Sequence, residues 1–295
     1  MEKESDPSNN WGRWGDDDER GALNLITADA VLRAVSTVRT GTALTLAVPL
    51  RAGEGPIFEG RAPLQHFMTR HGGDYAAGLK EKGFGFADDY VLVATHGTTH
   101  IDALAHVWRE GAMWNGHSSN LVTSIGARKC GIENVGAIVT RAVLVDFADQ
   151  YEASGDPRHA IDVDDLSAAV AATGIDVMPG DALLVRTGWV RAWRSQRAQV
   201  TAWPGLAPNC AEWINEAGFA LVGADNIAVE LGPSPRENDA APLHARLVRD
   251  FGIYLVELLD LEAIAAQGRS SFLLSIAPMP LVGGVGSPVN PIAVL

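Results

Sequence analysis

Short runs of apolar residues recur along the chain, and polar segments rich in glycine, proline and charged residues separate them. Runs of this length that are nearly continuous in Val, Leu and Ile are typical of strands covered on both faces of a sheet. The pattern predicts strands over residues 43–50, 90–95, 142–147, 182–187, 219–223, 253–257 and 272–276. We therefore expect a strand-rich protein whose sheet is largely buried.

Helical periodicity fills some of the intervals between these strands and predicts helices over residues 164–172, 209–217 and 241–250. Asp162 is a suitable N-cap for the first helix, and Gly174 is a common C-terminal signal. Helices that alternate with buried strands indicate a mixed α/β architecture. With no internal repeat and no long linker, the simplest interpretation is one domain over residues 1–295.

Composition narrows the class of protein. The chain is 47% hydrophobic and 20% charged, which is typical of a globular protein with a sizeable core. Its net charge of −13 disfavours binding to nucleic acid, and no apolar run is long enough to predict a membrane helix. Cys130 and Cys210 are far apart and predict neither a disulfide framework nor a thiolate zinc site. We expect a cytoplasmic protein that acts on a small molecule.

Residues 96–106 read His-Gly-Thr-Thr-His-Ile-Asp-Ala-Leu-Ala-His and hold the strongest functional signal. With eight histidines in 295 residues, a window of eleven is expected to contain about 0.3 by chance. Imidazole and carboxylate groups are the ligands that borderline metal ions prefer. Single histidines are usually structural groups satisfied by hydrogen bonds, but this clustering favours a metal site.

Neither regular secondary structure can bring all four side chains of this window together. A helix would place His96 and His100 on one face and Asp102 and His106 on roughly the opposite one. A straight strand would separate His96 from Asp102 by about 20 Å. The chain must therefore fold back just after Thr95, and His106 would lie beyond the primary ligands, at the start of a helix and placed for proton transfer.

The same window resembles the signature of the metal-dependent cyclase family, which includes bacterial kynurenine formamidases and isatin hydrolases. That signature is usually written His-x-Gly-Thr-His-x-Asp-x-Pro-x-His. The chain matches it at His96, Thr99, His100, Asp102 and His106. It departs at Thr98, where the family commonly has Gly, and at Leu104, where it commonly has Pro. Both departures affect turn residues, so they bear on the path of the loop rather than on the ligands.

Residues 11–27, 65–69, 180–189 and 283–288 are also similar to the longer members of the family, so the resemblance covers nearly the full chain. It implies a swivelling β/β/α fold and a homodimer or homotetramer. Trp11 and Trp14 lie in a polar N-terminal arm, residues 1–30. They could anchor the arm on a neighbouring subunit or pack on their own domain.

The resemblance also implies the metal ligands. The first metal of the two-metal members would be held here by His96, His100 and Asp102. A second would be held by that same Asp102 together with His244, early on a helix, and Glu257, at the end of the next strand. Some relatives carry one ion, so one or two are possible, and zinc and manganese both suit nitrogen and oxygen ligands.

A metal ion with such ligands lowers the pKa of bound water towards roughly 7, which supplies hydroxide at neutral pH. His106 would then act as general base and acid. We expect hydrolysis of an amide, cyclic amide or imide, or lactone in a small cyclic or aromatic substrate. Candidates for a flat substrate-binding wall are Phe58, His66, Phe67, Trp108 and Trp203.

Two other functions stay open. The same Lewis acid could promote a cyclase or dehydratase reaction on a polyketide-like carbonyl. Alternatively, the chain could be a metal-binding protein without catalytic activity. Outside the histidine window, residues 283–286 contain three glycines, and Pro288 and Pro291 follow, so this segment predicts a closing turn rather than a nucleotide-binding loop.

Overall fold

The computed structural model describes residues 9–53, 58, 60–79, 83–198, 200–234 and 238–295. The strands of these residues lie in four sheets, one large and three of two strands each. In chain order they are β1 (Ala43–Thr45), β2 (Gln65–Arg70), β3 (Asp88–Leu92), β4 (His100–Asp102), β5 (Val122–Thr123), β6 (Gly126–Ala127), β7 (Ile138–Asp146), β8 (Ala160–Ile161), β9 (Ala182–Arg186), β10 (Gly205–Leu206), β11 (Leu221–Ala224), β12 (Tyr254–Glu257), β13 (Ser271–Ile276), β14 (Gly286–Pro288) and β15 (Ile292–Val294).

The helices of the described residues are short, and none has the length and hydropathy that crossing a bilayer requires. They are α1 (Ala28–Val35), α2 (Gly72–Ala76), α3 (Ala148–Ser154), α4 (Val163–Ala172), α5 (Trp189–Arg194), α6 (Cys210–Glu216), α7 (Pro242–His244) and α8 (Glu262–Ala265). Helix α7 continues as a π-helical segment, Ala245–Asp250. Asp162 caps α4 by accepting hydrogen bonds from the backbone N–H groups of Asp164 and Asp165, as predicted.

The large sheet has nine strands in the order β1-β15-β13-β7-β9-β11-β12-β4-β14. Strands β7, β9, β11 and β12 are parallel, and the remaining pairs are antiparallel. Helices α4, α6 and α7 connect the parallel strands, and the apolar strand residues form the main core. This is the mixed α/β architecture that the hydrophobic pattern predicts.

The central strands lie close to their predicted positions because they are apolar on both faces. Strand β9, predicted over residues 182–187, is buried at every residue. Two predicted strands differ from the observed ones. The one over residues 43–50 shortens to β1 at the sheet edge, and the one over 90–95 is β3, which pairs with β2 in a separate exposed ribbon. Strands β4, β14 and β15, each of three residues, are too short for hydrophobic periodicity to reveal.

The described part of the N-terminal arm packs on its own chain. The indole N–H of Trp11 donates to the carbonyl oxygen of Arg249 at 2.8 Å, and the guanidinium of Arg249 lies 4.6 Å from the centre of a Trp11 ring. Trp14 contacts Trp114, with ring centroids 6.1 Å apart. Both tryptophans therefore contact residues of their own chain, and packing of the arm on a neighbouring subunit stays a prediction.

Candidate metal centre

Three neighbouring strands build the base of the site. His100 begins β4 and Asp102 ends it, so their side chains point to the same face of the sheet. In the antiparallel pairing with β12, Glu257 lies directly opposite His100. On the other edge of β4, Gly286 of β14 lies opposite Asp102. The register therefore places two carboxylates and one imidazole side by side on one surface.

The chain folds back before β4, as the ligand spacing predicts. The backbone N–H of Gly97 donates to the carbonyl oxygen of Ala94 at 3.0 Å, which closes a turn. Thr99 secures the returning segment, because its hydroxyl donates to the carbonyl oxygen of Leu258 at 2.5 Å and accepts from the N–H of Val48 at 2.9 Å. This path brings the imidazole of His96 back over β4.

The ligand atoms form two triads that share Asp102. In the first, Nε2 of His96 and Nε2 of His100 lie 3.2 and 3.4 Å from Oδ1 of Asp102. In the second, Nε2 of His244 lies 3.1 Å from Oε1 of Glu257 and 3.9 Å from Oδ2 of Asp102. All five residues are buried. The structure thus brings together all five side chains that the resemblance implies as ligands.

Contacts at Nδ1, on the side of the ring away from the ligand cluster, orient the imidazoles of His96 and His100. Nδ1 of His100 donates to the carbonyl oxygen of Thr98 at 2.7 Å, so Nε2 keeps its lone pair for the cluster. Nδ1 of His96 lies 3.0 Å from the hydroxyl oxygen of Thr95. Partners of this kind fix the ring orientation of metal-binding histidines and raise their basicity. Both rings therefore present Nε2 towards Asp102.

Glu230 orients the imidazole of His244 in the same way, and the sequence did not predict this role. Its carboxylate contacts Nδ1 of His244 and accepts hydrogen bonds from the backbone N–H groups of Leu243 and His244 at 3.1 and 3.2 Å. Burial lowers the pKa of His244, but the charge of Glu230 outweighs it and raises that pKa well above its ordinary value. A signal was present, because Glu230 interrupts an otherwise apolar run from Ile227 to Leu231.

The charges within the cluster depend on one another. Burial by itself raises the pKa of Asp102, but the positive character of the neighbouring imidazoles of His106, His100 and His96 holds that pKa well below its usual value. Burial lowers the pKa of His100, yet the negative charges of Glu257 and Asp102 leave it raised. Asp102 is therefore ionised at neutral pH and is stabilised by the positive character of its neighbours.

The residues fit a divalent cation. Among the described residues, Nε2 of His96 and both carboxylate oxygens of Asp102 are buried without a hydrogen-bond partner. Buried polar groups of this kind are rare and call for a ligand or ion. A Cβ atom at Gly286 would lie 2.4 Å from Nε2 of His96, so the glycine keeps this space open. Nitrogen and oxygen donors in this number suit a divalent metal ion.

His106 lies on a turn after β4 and not at the start of a helix, which corrects one expectation. Its ring stacks on His96 with centroids 4.0 Å apart, and its Nε2 is 4.0 Å from Oδ1 of Asp102. Burial lowers the pKa of His106 to about 3, although the charge of Asp102 opposes this change. The imidazole is therefore neutral at pH 7, rather than titrating near 6.5.

A cavity of about 430 Å³ opens beside the second triad. His244 and Glu257 lie among its lining residues, and so do two of the predicted substrate-binding aromatics, Phe58 and Trp203. These two rings meet edge to face with centroids 6.0 Å apart. The ligand cluster is thus accessible from a pocket with a largely apolar wall.

The other three predicted substrate-binding residues are not among the described residues that line this cavity. His66 lies on β2 and contacts Asp89, with Nε2 2.9 Å from the carboxylate oxygen. Phe67, also on β2, and Trp108, in the loop after His106, are 53% and 50% exposed. Their role in binding substrate stays a prediction.

Comparison with known proteins identifies the relatives of this chain. A sequence model of the Cyclase family matches residues 44–231. The crystal structure of a novel cyclase is 38% identical, with a TM-score of 0.89 and 97% of each chain covered. No curated protein matches the chain.

Two isatin hydrolases share the fold at lower identity. Isatin hydrolase A from Ralstonia solanacearum is 23% identical, with a TM-score of 0.64, covering 90% of this chain and 95% of that one. Isatin hydrolase A from Labrenzia aggregata, solved bound to benzyl benzoate, is 18% identical, with a TM-score of 0.66 and coverage of 88% and 94%. The α/β fold implied by the resemblance is confirmed, and the chain belongs to the Cyclase family.

Proposed function

We propose that this protein is a metal-dependent hydrolase that cleaves an amide, cyclic amide or imide, or lactone bond of a small cyclic or aromatic compound. The observation that carries the proposal is that Nε2 of His96 and the carboxylate oxygens of Asp102 are buried without a hydrogen-bond partner. These atoms lie close to the ligand atoms of His100, His244 and Glu257, beside a largely apolar pocket. The fold is shared with isatin hydrolases, which is consistent with a small cyclic acyl substrate.

The two triads support two cations, zinc or manganese, that share Asp102. His96 and His100 would complete one site, and His244 and Glu257 the other. When bound, a divalent cation of this kind polarises an acyl carbonyl and lowers the pKa of a water molecule. The protein residues hold the ligand atoms in place, because contacts at Nδ1 orient the three histidine rings.

In the proposed reaction, His106 carries the proton. Its neutral imidazole accepts a proton from the attacking water and then donates it to the leaving nitrogen or oxygen as the acyl bond breaks. Phe58 and Trp203 would hold the flat part of the substrate while these transfers occur.

The test combines metal analysis with a panel of acyl substrates. Purified protein loaded with zinc or manganese should hydrolyse at least one of isatin, N-formylkynurenine, a cyclic imide and a lactone. Asp102→Asn should lose both metal and turnover because Asp102 belongs to both triads. Asp149→Asn, an exposed change on α3, is the control and should keep both.

Each failure has a distinct meaning. Full metal occupancy in Asp102→Asn would contradict the ligand assignment. Tight metal binding by the native chain with no turnover on any acyl substrate would favour a non-catalytic metal-binding protein. A ring-closed or dehydrated product would favour the cyclase or dehydratase alternative. The homodimer or homotetramer and the cytoplasmic location stay predictions.

A further inference from the structure

The cavity beside the second triad contains one feature that the proposed hydrolysis does not use. Arg61 is the sole lysine or arginine among the described residues that line it. The rest of the wall is mostly apolar, and the other charged groups, Glu230, His244 and Glu257, lie at the ligand cluster. A positive charge therefore faces a small apolar space that ends at the candidate metal ligands.

The described contacts hold Arg61 in place without neutralising it. One Nη1–H donates to the backbone carbonyl oxygen of His96, and the guanidinium carbon lies 5.2 Å from the centre of the Phe58 ring. A guanidinium has five N–H donors, so this backbone hydrogen bond leaves most of them available. Within the described residues, no carboxylate lies within 4.0 Å of these nitrogens.

Three shielded arginines elsewhere in the chain have acidic partners. Arg33 and Arg141 both pair with the buried Asp181, at 3.2 and 2.6 Å. Arg186 pairs with carboxylates on two sides, at 2.7 and 2.8 Å. A half-buried cation without such a partner is costly to maintain, and an anionic ligand would offset that cost. Arg61 thus differs from them in facing a cavity instead of a carboxylate.

We infer that the substrate carries a carboxylate group that pairs with Arg61. This inference rests on the proposed function and narrows its substrate class to anionic aromatic or cyclic acyl compounds. The planar guanidinium matches a carboxylate with two parallel hydrogen bonds. The ring of the substrate then lies against Phe58 and Trp203, and its acyl group reaches towards His244 and Glu257 at the other side of the cavity.

The first experiment measures selectivity between matched substrates. The three formamidobenzoates and formanilide are aryl formamides that differ only in a ring carboxylate and its position. The native metal-loaded enzyme should prefer at least one formamidobenzoate in kcat/KM. In Arg61→Gln, the ratio of kcat/KM for that compound over formanilide should fall by roughly 10- to 100-fold, the effect of losing a charge-assisted pair.

Two further variants separate recognition from structure. Arg61→Lys keeps the positive charge but lacks the planar pair of N–H donors, so it should give an intermediate ratio of kcat/KM values. Arg39→Gln removes an exposed arginine that likewise donates to backbone carbonyls, and it should leave the ratio unchanged. An equal loss on both substrates in Arg61→Gln would mean that Arg61 only supports the segment around His96, and it would overturn the inference.

A binding experiment on metal-free protein removes any direct role of the cation. Ligand-observed NMR should detect benzoate binding to the native chain, weaker binding of benzamide, and loss of the benzoate signal in Arg61→Gln. Benzoate binding that survives Arg61→Gln would overturn the inference. Anion binding through Arg61 without turnover of any formamide would support this inference while the proposed hydrolysis fails. Turnover with no preference for a carboxylate would support hydrolysis and overturn the inference.

Discussion

A Cβ atom built on Gly286 would lie 2.4 Å from Nε2 of His96, well inside van der Waals contact. Gly286 is also paired with Asp102 across the antiparallel β4–β14 ladder. The glycine therefore leaves room for the imidazole at the point where the first triad forms. Its small size is a requirement of the site, because Gly286 lies on β14, whereas the predicted closing turn lies just before this strand, at Val282 and Gly283.

We predict that Gly286→Ala displaces the His96 ring and weakens metal binding at the first triad. Titration of zinc into metal-free protein should show a loss of at least about tenfold in affinity at one site. Gly72→Ala is a suitable control because Gly72 has open space around its Cβ position and lies on α2. Native metal affinity in Gly286→Ala would show that the ring does not need this space.

Glu230→Gln tests the support of His244. A glutamine offers one acceptor oxygen where the carboxylate offers two, so one backbone N–H of α7 would face an NH₂ group. Affinity for metal at the second triad should fall by roughly 10- to 100-fold, while the first triad keeps its affinity. Glu216→Gln, an exposed change on α6, should alter neither site. Equal weakening of both sites would indicate general disruption instead of positioning.

His106→Ala separates proton transfer from coordination. Loss of a general acid and base should lower kcat by roughly 10²- to 10⁴-fold, while elemental analysis should find the metal content unchanged. The stacked contact with His96 is lost as well, so metal content is the measurement that guards against a structural explanation. A near-native kcat would remove His106 from the mechanism, and loss of metal would make it a ligand.

Asp225 should make the stability of the protein depend on pH. It is buried and accepts hydrogen bonds from the N–H and hydroxyl of Thr187 and the N–H of Gly188. Burial raises its pKa from 3.8 to about 6, although these hydrogen bonds oppose the rise. Between these two values the unfolded state releases the proton while the folded state keeps it, so stability falls as pH rises.

Urea unfolding of the native chain and of Asp225→Asn between pH 4 and pH 7 measures this effect. The free energy of unfolding of the native chain, relative to the variant, should decrease by roughly 2 kcal/mol over that range. The other titratable groups are common to both proteins and largely cancel in the difference. A difference that stays constant or increases with pH would contradict the raised pKa.

Patterns among neighbouring residues predict the buried strands, the fold-back before β4 and the cap of α4. Strand β9 is apolar at nearly every position, so its composition alone predicts that both of its faces are buried. The spacing of His96, His100 and Asp102 excludes a plain helix or strand, so the fold-back before β4 could be expected from geometry. The Asp162 cap of α4 is equally local, because it involves residues only two and three positions ahead.

Contacts between distant segments could only be decided by the tertiary structure. The approach of Glu257 to His100 depends on the register between β12 and β4, and nothing near either residue encodes that register. Gly286 and Glu230 matter because of the side chains they meet across such contacts. The sequence by itself determined the buried strands and the kinds of ligand, since both depend on neighbouring residues. Folding decided the shape and charge of the site, since these arise where segments far apart in the chain meet.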